Sequence, residues 1–93
     1  MITVHTEFHS HFKEIAATER DVFELDQPLV SELAKRVCDR FGPRMRALLI
    51  DPDTTELNER GTLFLDAEGR RIYMDDTLND GDVVTFMMGI AGG

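Results

Sequence analysis

The chain has 93 residues and a formal net charge of -8, which makes one acidic domain near the small end of what folds unaided. Ten Lys and Arg against eighteen Asp and Glu argue against nucleic acid as a partner, because phosphate binding needs clustered cations; the same field suits a basic protein partner. Cys38 is the single cysteine, so an internal disulfide and a cysteine metal cluster are excluded.

Met1 to Glu7 lacks the basic and apolar regions of a signal peptide. The longest mostly apolar run, Val83 to Ala91, is far below the ~20 residues that a membrane span needs. A cytoplasmic location and no membrane partner are therefore expected.

In chain order, Ile2, Val4, Thr6 and Phe8 alternate with polar residues, the pattern of a strand with one buried face. Phe12, Ile15 and Ala16 at helical spacing predict a helical turn or structured connection over 10–18. Arg20 to Leu25 reads as a second strand of unclear facing, able to pair with the first as an antiparallel hairpin. Asp26 and Pro28 signal a helix start, Leu29, Leu33, Val37 and Phe41 follow at i, i+4 spacing, and Gly42-Pro43 stops it. The principal helix is thus expected over about 28–41, with a shorter helical turn near Arg44 to Leu49. Residues 51–60 read as a polar loop. A strand at 62–65, a turn at 66–69 with Gly69 supplying positive φ, and a short return strand at 70–73 come next. A second turn at 78–82 leads into a last strand at 83–88. The order predicts an α+β fold with one principal helix laid on one face of a mixed sheet.

The chain leaves that last strand through Gly89-Ile90-Ala91 and reaches Gly92-Gly93. Without Cβ atoms a Gly-Gly end is thin, takes almost any φ/ψ and presents an unhindered carboxylate, so it can thread a narrow channel into a partner's active site. Joined to Thr77-Leu78-Asn79-Asp80-Gly81-Asp82-Val83-Val84-Thr85-Phe86, this end resembles the ubiquitin-like sulfur carriers. Within them the chain is most similar to the small subunit of molybdopterin synthase, and next to the thiamine-pathway carrier. The opening strand, the helix after Pro28 and the hairpin from Leu63 to Ile72 follow the same family order. Two departures are Met88-Gly89 where the family often carries Pro-Pro, and an extended stretch from Asp51 to Tyr73.

The resemblance implies a ubiquitin-like β-grasp domain over 1–88 and a flexible tail over 89–93. It implies a carrier in molybdenum- or tungsten-cofactor synthesis rather than an enzyme, in keeping with the lack of a coherent catalytic cluster. Gly93, with Gly92 before it, would be adenylated by a ubiquitin-activating-type adenylating enzyme using ATP. A sulfur donor protein would convert it to a thiocarboxylate, and a molybdopterin synthase large subunit would receive the tail. No tightly bound cofactor is implied. The alternatives are a protein modifier joined through Gly93 to lysines, and an interaction domain whose glycines are never activated.

Apolar residues on both faces of the 62–65 and 83–88 strands exceed what one helix-covered core requires. Phe64, Phe86, Met87 and Met88, with Ile90 and Ala91 of the tail, are the expected partner contacts, adaptable Met suiting a surface that meets two partners in turn. The competing reading places the strand residues in the core. His5, Glu7, His9 and His11 would share one face if the first strand reached residue 11, a pattern explained equally by a solvated polar face, and no metal is expected. Asp51 to Glu56 begins like a calcium loop, but Glu56 stands where Gly is required and Thr62 where a bidentate Glu should be. Lys35, Arg36, Arg40, Arg44 and Arg46 form either an exposed helix face among acids or a patch for an acidic partner. Cys38, beside the apolar stripe, reads as a small buried residue.

Overall fold

The computed structural model describes residues 1–89. Seven elements follow one another: β1 (Ile2–Phe8), α1 (His11–Ala16), β2 (Arg20–Leu25), α2 (Val30–Phe41), α3 (Pro43–Leu49), β3 (Thr62–Leu65) and β4 (Val83–Met88). The four strands form one mixed sheet in the order β2-β1-β4-β3. β1 pairs antiparallel with β2, as a hairpin would, and parallel with β4, while β3 and β4 are antiparallel. The β2 facing that the sequence left open is settled by burial. Phe23 and Leu25 point into the core, and Val22 remains 44% exposed. No helix among the described residues is long and apolar enough to cross a membrane.

The core lies on one face of the sheet and is held by phenylalanine. Phe8, Phe86 and Phe64 are Cα partners in a row across β1, β4 and β3, so all three rings leave the same face. Phe86 meets Phe8 at 5.3 Å between centroids, Phe64 at 5.5 Å and Phe12 of α1 at 5.8 Å, each nearly perpendicular. Phe12 also meets Phe64, Phe41 at the end of α2 meets Phe8, and Phe23 of β2 closes on Phe41. These edge-to-face contacts link all six phenylalanines of the chain into one network. Such pairs contribute about 0.5–1.5 kcal/mol each beyond the burial of their area.

α2 buries Val30, Leu33, Ala34, Val37 and Cys38 against this network and turns its charges outward. It begins two residues later than its sequence signals suggest. No side chain caps Leu29, and the first N–H groups are satisfied by the 74–78 segment instead. Val30 N–H donates to the Asp76 carbonyl and Ser31 N–H to that of Met74, both at 3.0 Å, while Leu78 N–H donates to Pro28. A helix start buried without a capping side chain needs such partners. Asp26 serves elsewhere, in an ion pair with Arg36 at 3.2 Å. At the other end Gly42, with φ +88°, ends α2 by donating to the Cys38 carbonyl, and Pro43 starts α3.

The return strand expected at 70–73 is reduced to a single bridge between Leu65 and Arg71. The turn ahead of it is built by Asp66, whose carboxylate accepts the N–H groups of Glu68 and Arg70, with Gly69 at φ +81°. Those N–H donors, that of Arg70 foremost, hold the Asp66 carboxyl below its ordinary value.

Two outcomes follow from this packing. Phe86→Ala should lower stability by about 3–5 kcal/mol, a large share of the ~5–15 kcal/mol of a small domain, seen as a lower urea midpoint. Because the folded state depresses the Asp66 pKa, its stabilising effect is present above the unfolded value of about 3.9 and is lost as pH falls through the folded value. A carboxyl titration followed by NMR should place Asp66 below that reference, and Asp66→Asn should remove this part of the acid sensitivity.

Candidate functional site

The candidate site is the end of β4 with the sheet face beside it. β4 lies between β1 and β3, so its backbone is paired on both sides. At its end, Gly89 N–H donates to the Gly61 carbonyl at 2.7 Å. A Cβ at Gly89 would meet Gly61 backbone and Leu63 at 3.6–3.7 Å, ordinary contact, so space alone does not require glycine there. The expected tail residues Ile90, Ala91, Gly92 and Gly93 lie outside the described residues.

Of the predicted strand contacts, two are corrected. Phe64 and Phe86 are 4% and 3% exposed and stand in the middle of the aromatic network, so both serve the core instead of forming an exposed contact surface. The reason is register: each is opposite another phenylalanine on the helix-covered face. Met88, directly opposite Thr62, is partly buried against the core. Met87 belongs to the other face and stays half-buried there.

That other face sets beside the expected Met87 three apolar residues not named as contacts from the sequence, Leu63, Leu65 and Val83. Leu63 pairs with Met87, Leu65 with Thr85 and Val83 with His5, and His5 is opposite Val22. Leu63, Leu65, Val83 and Met87 are all half-buried, whereas Thr62, Phe64, Val84 and Phe86 on the inner face are buried. They make an apolar surface that begins at the end of β4 and grades into His5 and Glu7 on β1. The period-2 alternation Thr62-Leu63-Phe64-Leu65 carried this signal, but Leu63 and Leu65 read as well for a core face as Phe64 did. Thr62 can take the inward position because its hydroxyl donates to the Asn58 carbonyl.

The remaining candidates fall apart or are already engaged. β1 stops at Phe8 and His11 belongs to α1, so the histidine face is not continuous. His9 lies 3.8 Å from Glu7 and His11 3.3 Å from Glu14, and no group of three potential metal ligands converges among the described residues. The three members of the basic cluster on α2 are paired, Lys35 with Asp39, Arg36 with Glu32 and Asp26, and Arg40 with Asp21, while Arg44 and Arg46 on α3 form no ion pair among the described residues. Arg40 also stacks 4.0 Å over the Phe23 ring and donates to the Val22 carbonyl, covering part of the β2 edge. Asp51 accepts the Asp53 N–H, the work of a turn. Cys38 is buried, and desolvation pushes its thiol above the usual range, away from the thiolate a nucleophile needs.

No protein-family model and no curated protein matches the sequence. Solved structures do match across nearly the whole chain. The crystal structure of small archaeal modifier protein 1 of Haloferax volcanii superposes with a TM-score of 0.82 at 13% identity, over 97% of this chain and all of that one. A Pyrococcus furiosus protein assigned as molybdopterin converting factor, subunit 1, gives 0.74 at 20% identity, over 97% and 100%. Urm1 of Trypanosoma brucei gives 0.69 at 24% identity, over 98% and 95%. With its mixed sheet, its helices on one face and these likenesses, the chain has the ubiquitin-like β-grasp fold.

Proposed function

We propose that this chain is a ubiquitin-like sulfur carrier whose Gly93 carboxylate is the group acted upon. The observation that carries the reading is the meeting of the β-grasp fold with the Ile90-Ala91-Gly92-Gly93 sequence that follows the end of β4. A carboxylate oxygen of Gly93 would attack the α-phosphorus of ATP in an adenylating enzyme, expelling pyrophosphate. A persulfide of a donor protein would then displace AMP from the acyl-adenylate, and a second thiol would cleave the resulting acyl disulfide, leaving the Gly93 thiocarboxylate and a disulfide on the donor side. The carrier itself needs neither acid nor base for these steps. Its contribution is to be held by the partner and to reach the partner's centre through a thin tail. The Leu63, Leu65, Val83 and Met87 surface, continuous with the end of β4, is the docking face in this reading.

The likeness to a protein assigned as a molybdopterin converting factor subunit supports sulfur delivery for molybdopterin, with a synthase large subunit as receiver. The likeness to small archaeal modifier protein 1 supports a second reading, in which Gly93 is activated in the same way and then joined to lysines of other proteins.

Intact mass of the protein from its native host separates the two. A gain equal to one sulfur replacing one oxygen, localised to a peptide ending in Gly93, marks the carrier, and heavier species linked through Gly93 to lysine mark the modifier. Deleting Gly93 should abolish either product while leaving the thermal midpoint unchanged. Met87→Glu should weaken engagement of the adenylating enzyme by about tenfold or more, roughly 1.4 kcal/mol, as a rise in the KM for the carrier. Full activity of the Gly93 deletion would overturn the reading.

A further inference from the structure

β3 separates two different surfaces. Leu63 and Leu65 face the open side of the sheet, while Thr62 and Phe64 turn the other way. On that second side, beyond the sheet edge, the 51–59 loop and the 71–75 segment enclose a groove of about 490 Å³. Its floor is apolar: Leu57 and Ile72 are nearly covered, and Tyr73 stands 48% exposed, one of few large apolar side chains this open. The volume falls in the range of ordinary binding clefts, about 300–1,000 Å³.

The lining of this groove is strongly one-signed. Asp51, Glu56, Glu59 and Asp75 line it against a single cation, Arg71. None of the four carboxylates forms an ion pair with Lys or Arg among the described residues, although Asp53 on the same loop is paired with Arg60. Four uncompensated carboxylates around an apolar floor repel phosphates and nucleotides. They suit a ligand that carries cations and apolar groups side by side. A guanidinium can bond these carboxylates and also stack on Tyr73, which an ammonium does less well.

We propose that this groove binds an extended, arginine-bearing segment of a partner protein, with an apolar side chain set beside Tyr73 and the basic side chains on the carboxylates. The segment would enter on the side of β3 opposite the Leu63-Leu65-Met87 face, so both surfaces can be engaged at once. This inference does not depend on the fate of Gly93. A chain defective in tail chemistry would still bind in the groove, and a chain that lost groove binding would still present its tail.

The test is an NMR titration of the isotope-labelled full chain with an end-blocked peptide of about eight residues alternating Arg and Leu. Amide shifts should concentrate in residues 51–59 and 71–75, and affinity should fall as salt screens the charges. Glu56→Lys with Asp75→Lys should weaken binding by at least about tenfold, and Tyr73→Ala by a smaller factor. All three side chains are exposed, so the variants should keep the wild-type thermal midpoint. Four results would overturn the proposal: no binding, shifts centred on Leu63, Leu65 and Met87, equal binding of the peptide with Glu in place of Arg, or binding unchanged in the double-lysine variant. Displacement of the peptide by spermidine at equal concentration would likewise reduce the groove to a bare charge cluster.

Discussion

The packing of Phe86 is the constraint on which the rest of this structure depends. Its ring touches Phe8, Phe12 and Phe64, and its backbone sits in the central strand that both β1 and β3 require. Two of those contacts come from neighbouring strands in register and one from α1, so a single side chain ties the sheet to the helical layer. Rings meeting edge to face have little freedom to slide. A one-residue slip of β4 would send Phe86 to the solvent face and Met87 into the network.

That constraint also determines what is left for recognition. Because the phenylalanines take the inner face, the alternate residues Leu63, Leu65, Val83 and Met87 are displaced to the outer one. No described element covers them fully, and they lie beside the end of β4. A small domain has too little helix to cover both faces of its sheet. The open apolar face is therefore a consequence of how this core is built. It lies next to the backbone bond from Gly89 to Gly61 that closes the end of β4.

The extended stretch from 51 to 75 adds a second surface. The bridge between Ile50 and Leu57 closes the first loop, and the Asp66 turn returns the chain so that Ile72 N–H reaches the Phe64 carbonyl. Leu57 and Ile72 thereby complete the core from beyond the sheet edge, while the neighbouring Glu56, Glu59 and Asp75 remain exposed. The same excursion that finishes the core at β3 also forms the acidic groove. A strand at 70–73 would have continued the sheet; the single bridge leaves room for the groove.

The sequence by itself determined the order of strands and helices apart from the strand expected at 70–73, the boundaries of β2, β3 and β4, the α2 stripe from Leu33 to Phe41 and the ubiquitin-like resemblance. These are written in local periodicity, in Gly42-Pro43 and in the Asp80-Gly81 turn, each of which acts within a few residues. Only the tertiary structure decided which face of β2, β3 and β4 is core. In Thr62-Leu63-Phe64-Leu65 the two faces are almost equally apolar, and the choice falls to Phe64 because Phe86 lies opposite it and Asn58 satisfies the Thr62 hydroxyl. The start of α2 was decided at a distance too, since the carbonyls of Met74 and Asp76 that cap it arrive from more than forty residues along the chain. Pairing and capping across such separations depend on where the chain returns, and periodicity within one segment carries no information about that.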